Sequence, residues 1–278
     1  MADKAILFDA TKCTACRSCQ AACKQWNEND EAIPETGKTK AVNVGSYSNP
    51  NNLSPSTWIK IESREVEENN KLRRLFTRRA CMHCSDAGCI TACPVDAVHR
   101  HESGFVTFNK DACIGCGYCS ESCPFDVPMY TRNLLTGAAK MDKCTLCTTA
   151  NLNRIAEGWE PACTKACPSG ALYFGDRNEL VTKGRERTQV LKDKGFTNAY
   201  LYGDKELDGL HVLYVLDDSP EFYGLPLRPS IPAETIAWKS VIQPAGWALA
   251  GLTIVGLSLN YLVARKAKLA KELSGKKE

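Results

Sequence analysis

The sequence predicts an α+β chain: two nested copies of a small cysteine-rich unit, then one carboxyl-terminal helix long enough to cross a membrane. Three observations carry this. Sixteen cysteines fall into four groups of four with recurring spacing, an alternating apolar segment joins the two inner groups, and residues 240–264 contain no charge. The remaining composition is ordinary, with 44% apolar and 24% charged residues, so the chain is neither disordered nor polytopic in a membrane. Its 35 Lys and Arg interleave with 32 Asp and Glu, giving a net charge of +3 without a basic face. No nucleic-acid partner is expected.

At the amino end, an apolar run from Ala5 to Phe8 is interrupted by Asp9. It is too short for a signal peptide and reads as a first strand leading into Cys13, so export would depend on a partner.

Cys13, Cys16, Cys19 and Cys23 then read C-x2-C-x2-C-x3-C, and Cys113, Cys116, Cys119 and Cys123 repeat that spacing and add Pro124. Cys81, Cys84, Cys89 and Cys93 read C-x2-C-x4-C-x3-C-P, and Cys144, Cys147, Cys163 and Cys167 read C-x2-C-x15-C-x3-C-P. Three thiolates on a short turning loop can each bind a different iron of one cubane, while a fourth, followed by Pro, serves the neighbouring cluster. Sixteen thiolates therefore match four [4Fe–4S] clusters, and the repeat implies a duplicated ferredoxin-like unit. Disulfides are disfavoured, because adjacent C-x2-C cysteines would close strained small rings. Zinc is disfavoured too, since a structural site wants two well-separated pairs rather than three cysteines in seven residues.

Residues 81–93 and 113–123 are close in sequence and joined by the alternating segment Gly104–Asn109, so they form one compact two-cluster unit. The outer groups then pair with each other. On that assignment the four clusters are held by Cys13, Cys16, Cys19 and Cys167; by Cys144, Cys147, Cys163 and Cys23; by Cys81, Cys84, Cys89 and Cys123; and by Cys113, Cys116, Cys119 and Cys93. The expected domains are 1–24 with 140–180 as the first two-cluster unit, 25–80 as an insertion, and 81–139 as the second unit. An extra α/β layer and linker follow at 181–235, then a transmembrane helix at 236–265 and a basic tail at 266–278.

Within the insertion, residues 45–56 are rich in Pro, Asn and Ser, and residues 56–62 and 72–78 read as strands of a hairpin covering the clusters or facing a partner. Trp26 and Trp58 suit either core or interface. Residues 182–194 read as a helix, and residues 200–202 and 211–216 as strands.

From Ser240 to Ala264 there are 25 residues without a charge, enough at about 1.5 Å per helical residue to exceed a hydrocarbon core of about 30 Å. Trp238, Trp247 and Tyr261 suit the interfaces, and Gly246, Gly251 and Gly256 suit close packing in lipid. Arg265, Lys266, Lys268, Lys271, Lys276 and Lys277 follow, so the positive-inside bias puts the tail in the cytoplasm and the cluster domain in the bacterial periplasm.

Four such motifs in this order, with the enlarged gap in the last, resemble the four-cluster electron-transfer subunits that accompany molybdopterin oxidoreductases and some hydrogenases. The resemblance covers about residues 4–176. With Gln20-Ala-Ala-Cys-Lys-Gln-Trp-Asn27 and the single late apolar segment, it is strongest to the iron–sulfur subunits of membrane-bound formate dehydrogenases. Respiratory nitrate reductase subunits match less well, because they have Trp for one cysteine of the third motif, where all four thiols are present here. The first motif departs from the pattern in having Lys24, not Pro, after Cys23.

The resemblance implies a catalytic partner holding molybdenum or tungsten on a pterin and carrying a twin-arginine signal, and a cytochrome b-type membrane subunit as acceptor. It also implies that the cluster of the third motif lies nearest the membrane and the outer pair nearest the catalytic subunit. The chain itself shows no catalytic residue: it has no Gly-rich dinucleotide fingerprint, no nucleophile–base pair and no site for a small-molecule substrate. A periplasmic uptake hydrogenase subunit is the second reading, and a standalone redox carrier or sensor the third. Lys12, Lys110 and Lys143 lie beside the motifs and could raise cluster potentials, while His83, between Cys81 and Cys84, suits a supporting role better than ligation. His99, His101 and His211 form no constellation.

Overall fold

A computed structural model describes residues 3–29, 47–68, 71–133, 137–148 and 153–274. Most of the expected insertion's first half, residues 30–46, and the tail residues 275–278 lie outside the described residues. The chain divides into residues 1–231 and residues 232–278.

The first unit begins with strand β1, Lys4–Asp9, in which Ala5 to Asp9 are all buried. A short run without alternation marks a strand covered on both faces, and β1 lies inside a four-stranded sheet. Its neighbours are β8 (Leu172–Asp176), antiparallel, and β10 (Val212–Leu216), parallel; β9 (Tyr200–Tyr202) flanks β10. The expected strands at 200–202 and 211–216 therefore extend a sheet begun by β1.

The period of two sorts the side chains of this sheet. Ala5 and Leu7 of β1, with Leu213 and Val215 of β10, pack against Leu180, Val181 and Leu191 of helix α5, Arg177–Asp193. Ile6 and Phe8, with Val212 and Tyr214, face the opposite way into the main core, where many of the cysteines lie. The Asp176 carboxylate caps α5 by accepting from the Asn178 N–H at 3.1 Å, and Glu179 in its first turn and Lys192 in its last complement the helix dipole.

Between β1 and β8 the described residues form two pairs of short helices and three hairpins. Helix α1 (Ser18–Trp26) packs on α4 (Ala162–Lys165), and α2 (Gly88–Thr91) on α3 (Tyr118–Glu121). Hairpin β2 (Lys60–Glu68) and β3 (Lys71–Arg79) pairs Lys60 with Arg79 through Glu68 with Lys71, and buries Ile61 and Leu75 in the main core. Hairpin β4 (Val98–Arg100) and β5 (Val106–Phe108), with β6 (Met129–Arg132) and β7 (Ala139–Asp142), encloses a smaller core around Val98, Val106, Phe108 and Met141.

The second unit is helical: α6 (Ala233–Ala237), one wide turn over Trp238–Ile242, and α7 (Gln243–Ser274). Pro244 accounts for the wide turn. A proline inside a helix has no N–H, and its ring meets the carbonyl four residues back, so the Gln243 N–H reaches five residues back to the Trp238 carbonyl instead. Ala233–Lys268 spans 36 residues with a mean hydropathy of 1.6 in its most apolar window. By length and composition it is the one described helix able to cross a membrane, and Leu249, Leu252, Ile254 and Leu257 are exposed along it.

Candidate metal centres

All sixteen cysteines are free thiols. The loops carrying them share one backbone device. In the first C-x2-C turn of each motif the residue before the second cysteine has positive φ: Ala15 at 54°, His83 at 49°, Gly115 at 70° and Leu146 at 55°. Only one of the four is glycine, and a side-chain-bearing residue in this region costs roughly 1–2 kcal/mol, a strain typical of ligand-clamping loops. The turn aims an amide inward. Gly115 N–H donates to Cys113 Sγ and Leu146 N–H to Cys144 Sγ, each at 3.4 Å, and the Ala15 N–H does the same for Cys13.

A second repeat follows three of the fourth cysteines. Asp96, Asp126 and Gly170, each third after Cys93, Cys123 or Cys167, have φ of 51°, 52° and 61°. Cys23, which lacks the following Pro, differs. There α1 continues to Trp26, and the Asn27 side-chain amide donates to the Cys23 carbonyl at 2.8 Å and to Cys23 Sγ at 3.6 Å. The Arg154 guanidinium lies 4.4 Å over the Trp26 ring, and the Trp58 indole N–H is held by the Pro55 carbonyl at 2.8 Å.

Electrostatics shows which sulfurs share a neighbourhood. Burial raises the Cys13 thiol, and Cys16 and Cys167 raise it further. Cys23 is raised by burial, then by Cys144, Cys163 and Cys147. Cys84 is raised by burial, then by Cys81, Cys123 and Cys89, and Cys119 by burial and by Cys116, Cys113 and Cys93. The four sets also adjoin in series. Cys19, pushed up to about 12 mainly by burial, feels Cys163; Cys144, pushed up to about 11, feels Cys81; Cys89, pushed up to about 12, feels Cys119. Of the sixteen cysteines only Cys16 and Cys116 are exposed.

This donor set fits cubanes better than mononuclear ions. Among the described residues no three His, Cys, Asp or Glu converge as a single ion would require. Zinc holds its sulfurs about 2.3 Å from one centre, whereas a cubane spreads four thiolates over four irons.

Several groups without iron-binding sulfur line the series. Lys143 is buried, donates to the carbonyls of Val106 at 2.5 Å and Cys144 at 3.0 Å, and draws the Cys89 thiol down. Lys110 is neutralised by Asp142 at 2.8 Å, and Lys12 reaches the Tyr173 hydroxyl. His83 is buried and accepts from the Val106 N–H at 3.1 Å through Nδ1, so its proton sits on Nε2, which has no partner among the described residues. The Tyr130 hydroxyl contacts Cys119 Sγ at 2.7 Å. His211 bonds Asp3 through Nε2 and the His83 carbonyl through Nδ1, each at 2.7 Å.

Sequence reasoning missed Arg78. It reads as one polar residue of an alternating strand, yet it is 1% exposed, and its Nη2 lies 3.9 Å from Cys163 Sγ. Burial alone would lower its pKa, but the charges of Cys163, Tyr214, Cys144 and Cys19 hold it above its usual value.

Residues 72–177 and residues 12–97 each match a 4Fe-4S dicluster domain. The chain is 41% identical over 244 residues to the formate dehydrogenase-O iron-sulfur subunit of Escherichia coli (strain K12), covering 86% of this chain and 76% of that one. It is 37% identical over 265 residues to the nitrate-inducible formate dehydrogenase iron-sulfur subunit of the same organism, covering 94% and 85%. It is 32% identical over 286 residues to the hydrogenase-2 operon protein HybA of Escherichia coli O157:H7, covering 90% and 83%. The chain thus belongs to the family of iron–sulfur electron-transfer subunits found in formate dehydrogenases and related hydrogenase-type complexes.

Proposed function

We propose that this chain carries electrons through four [4Fe–4S] clusters from a molybdopterin formate-oxidising subunit to a cytochrome b-type subunit in the bacterial inner membrane. The observation that carries the proposal is that the cysteines act on one another's charge in a succession running from Cys13 to Cys119, with Cys16 and Cys116 exposed. The ligand sets are Cys13, Cys16, Cys19 and Cys167; Cys23, Cys144, Cys147 and Cys163; Cys81, Cys84, Cys89 and Cys123; and Cys93, Cys113, Cys116 and Cys119.

When bound, each cluster takes up and releases one electron without a proton. The residues do the rest. The left-handed turns aim amides at sulfur and favour the thiolate, burial excludes water, and the charges of Cys163 on Cys19, of Cys81 on Cys144 and of Cys119 on Cys89 link consecutive sets. Electrons enter at the Cys16 face from the catalytic partner and leave at the Cys116 face towards the membrane. Ile114 and Tyr118, 60% and 47% exposed beside Cys116, suit a docking face for the acceptor.

The helix from Ala233 anchors the chain, with the Lys- and Arg-rich end cytoplasmic and the clusters periplasmic. The 1–24 and 140–180, 81–139 and 181–235 segments act as two cluster units and a supporting layer. A hydrogenase-type partner is the second reading, favoured by the similarity to the hydrogenase-2 operon protein.

The test is to purify the complex from membranes without oxygen, count iron, and measure formate-driven and hydrogen-driven dye reduction with and without this chain. About sixteen iron and sixteen sulfide per chain, with formate-driven activity dependent on it, is the expected result. Dependence of hydrogen-driven activity alone would replace formate by hydrogen, and zinc without sulfide would refute the clusters.

A further inference from the structure

Arg78 is the bulkiest fully buried side chain, and no carboxylate pairs with it among the described residues. A buried charge of this kind is costly unless something negative compensates it, and a guanidinium does not shed its proton. What surrounds it is sulfur. Nη2 lies 3.9 Å from Cys163 Sγ, Nε and Nη1 are buried without a partner among the described residues, and the residue's own carbonyl accepts the Tyr214 hydroxyl, which ties β3 to the sheet. Its charge acts on Cys163, Cys144, Cys23 and Cys19. Three of these belong to the Cys23, Cys144, Cys147 and Cys163 set, and only Cys19 to the neighbouring one.

We propose that Arg78 is an electrostatic residue of the electron path, whose fixed positive charge raises the reduction potential of the cluster held by Cys23, Cys144, Cys147 and Cys163 above that of the first cluster. This rests on the ligand sets proposed above. Reduction adds one electron and no proton, so the cluster becomes one unit more negative while Arg78 stays protonated. With the cluster bound, Nε and Nη1 would supply hydrogen bonds to it that strengthen as its charge grows. An electron leaving the Cys13, Cys16, Cys19 and Cys167 set for the next one moves deeper into the field of Arg78, and the hop is biased inward.

Redox titration of the purified complex, followed by electron paramagnetic resonance, tests this with wild type, Arg78→Met and Arg78→Lys. In Arg78→Met one cluster's reduction equilibrium should shift at least tenfold towards the oxidised form, about 59 mV for one electron, with a smaller shift at a second cluster and none at the other two. Arg78→Lys, which keeps the charge, should stay near wild type. Four unchanged potentials in Arg78→Met, or an equal shift in Arg78→Lys, overturns the proposal. Should Arg78→Met fail to load clusters, nitrogen-15 arginine labelling decides. Wild type should show nitrogen coupling on one reduced cluster that Arg78→Lys lacks, and its absence in wild type overturns the proposal. The number of cluster signals in wild type reports on the ligand sets separately from Arg78.

Discussion

Gly115 and Gly117 stand two residues apart in one cysteine turn, both at positive φ, yet replacing each with alanine has unequal consequences. The φ values are 70° and 90°, so either substitution places an alanine in the left-handed region at a cost of roughly 1–2 kcal/mol. At Gly117 nothing lies within 4 Å of an added Cβ, and that cost stands alone. At Gly115 the Cβ would lie 2.3 Å from the Ala139 carbonyl oxygen and 2.7 Å from the Ala139 Cβ. A comfortable contact is about 3.5 Å, so the backbone of β7 must retreat by about 1 Å, and overpacking of this kind costs roughly 1–3 kcal/mol more. That retreat pulls on the turn itself, because the neighbouring Lys140 holds the Asp111 and Cys113 carbonyls at 3.0 and 2.7 Å. Gly115→Ala is expected to lose about a quarter of its iron and to unfold at lower urea concentration, while Gly117→Ala keeps its iron and shifts the midpoint slightly. Anaerobic iron analysis and urea unfolding of the two variants check this. Equal losses, or greater damage from Gly117→Ala, would refute the packing argument.

Two other perturbations probe the sulfur environment. Burial and the Cys119 sulfur keep the Tyr130 hydroxyl protonated, hence a donor to that sulfur. Tyr130→Phe should lower the potential of the cluster assigned to Cys93, Cys113, Cys116 and Cys119, by about tenfold in its reduction equilibrium; an unmoved potential would show that the hydroxyl does not act on it. Cluster assembly on the apo chain should improve as pH rises, because burial pushes thiols such as Cys147 up to about 12 and each must release its proton to bind iron. Visible absorbance after reconstitution in mildly acidic and mildly alkaline buffer measures this, and equal yields would contradict it.

The cysteine spacing made the chemistry legible, because thiolates on a turning loop have few other uses. An unbroken apolar run disclosed the first strand, and periodicity disclosed the second hairpin strand and all of helix α5 but its first turn, which starts at Arg177 rather than 182. Arg78 was not legible for a physical reason. Alternation identifies a strand's polar face but not that sulfur covers that face, and burial of Arg78 depends on residues 66 to 85 positions away, such as Cys144 and Cys163. The parallel pairing of Ile6 with Val212 and Leu7 with Leu213 was hidden likewise, because neither segment names its neighbour. Asn27 lies between these cases: the Cys-Lys-Gln-Trp-Asn segment was noticed by resemblance, and its amide on Cys23 gives that segment a physical role.

The central position of β1 sets a timetable for synthesis. Its parallel neighbour β10 lies about 200 residues later, so at roughly 5–20 residues per second the ribosome needs about 10–40 s to deliver it. For about 8–30 s of it Cys13, Cys16, Cys19 and Cys23 stand without all their companions up to Cys167, while Cys81 to Cys123 emerge together within roughly 2–8 s. A nascent chain can therefore close its middle unit first and must keep its outer thiols reduced until the sheet is complete. Scaffold proteins that deliver iron and sulfide would meet a molecule loaded from the inside outwards, and a translational pause beyond Leu216 would lengthen the time available for filling the outer pair.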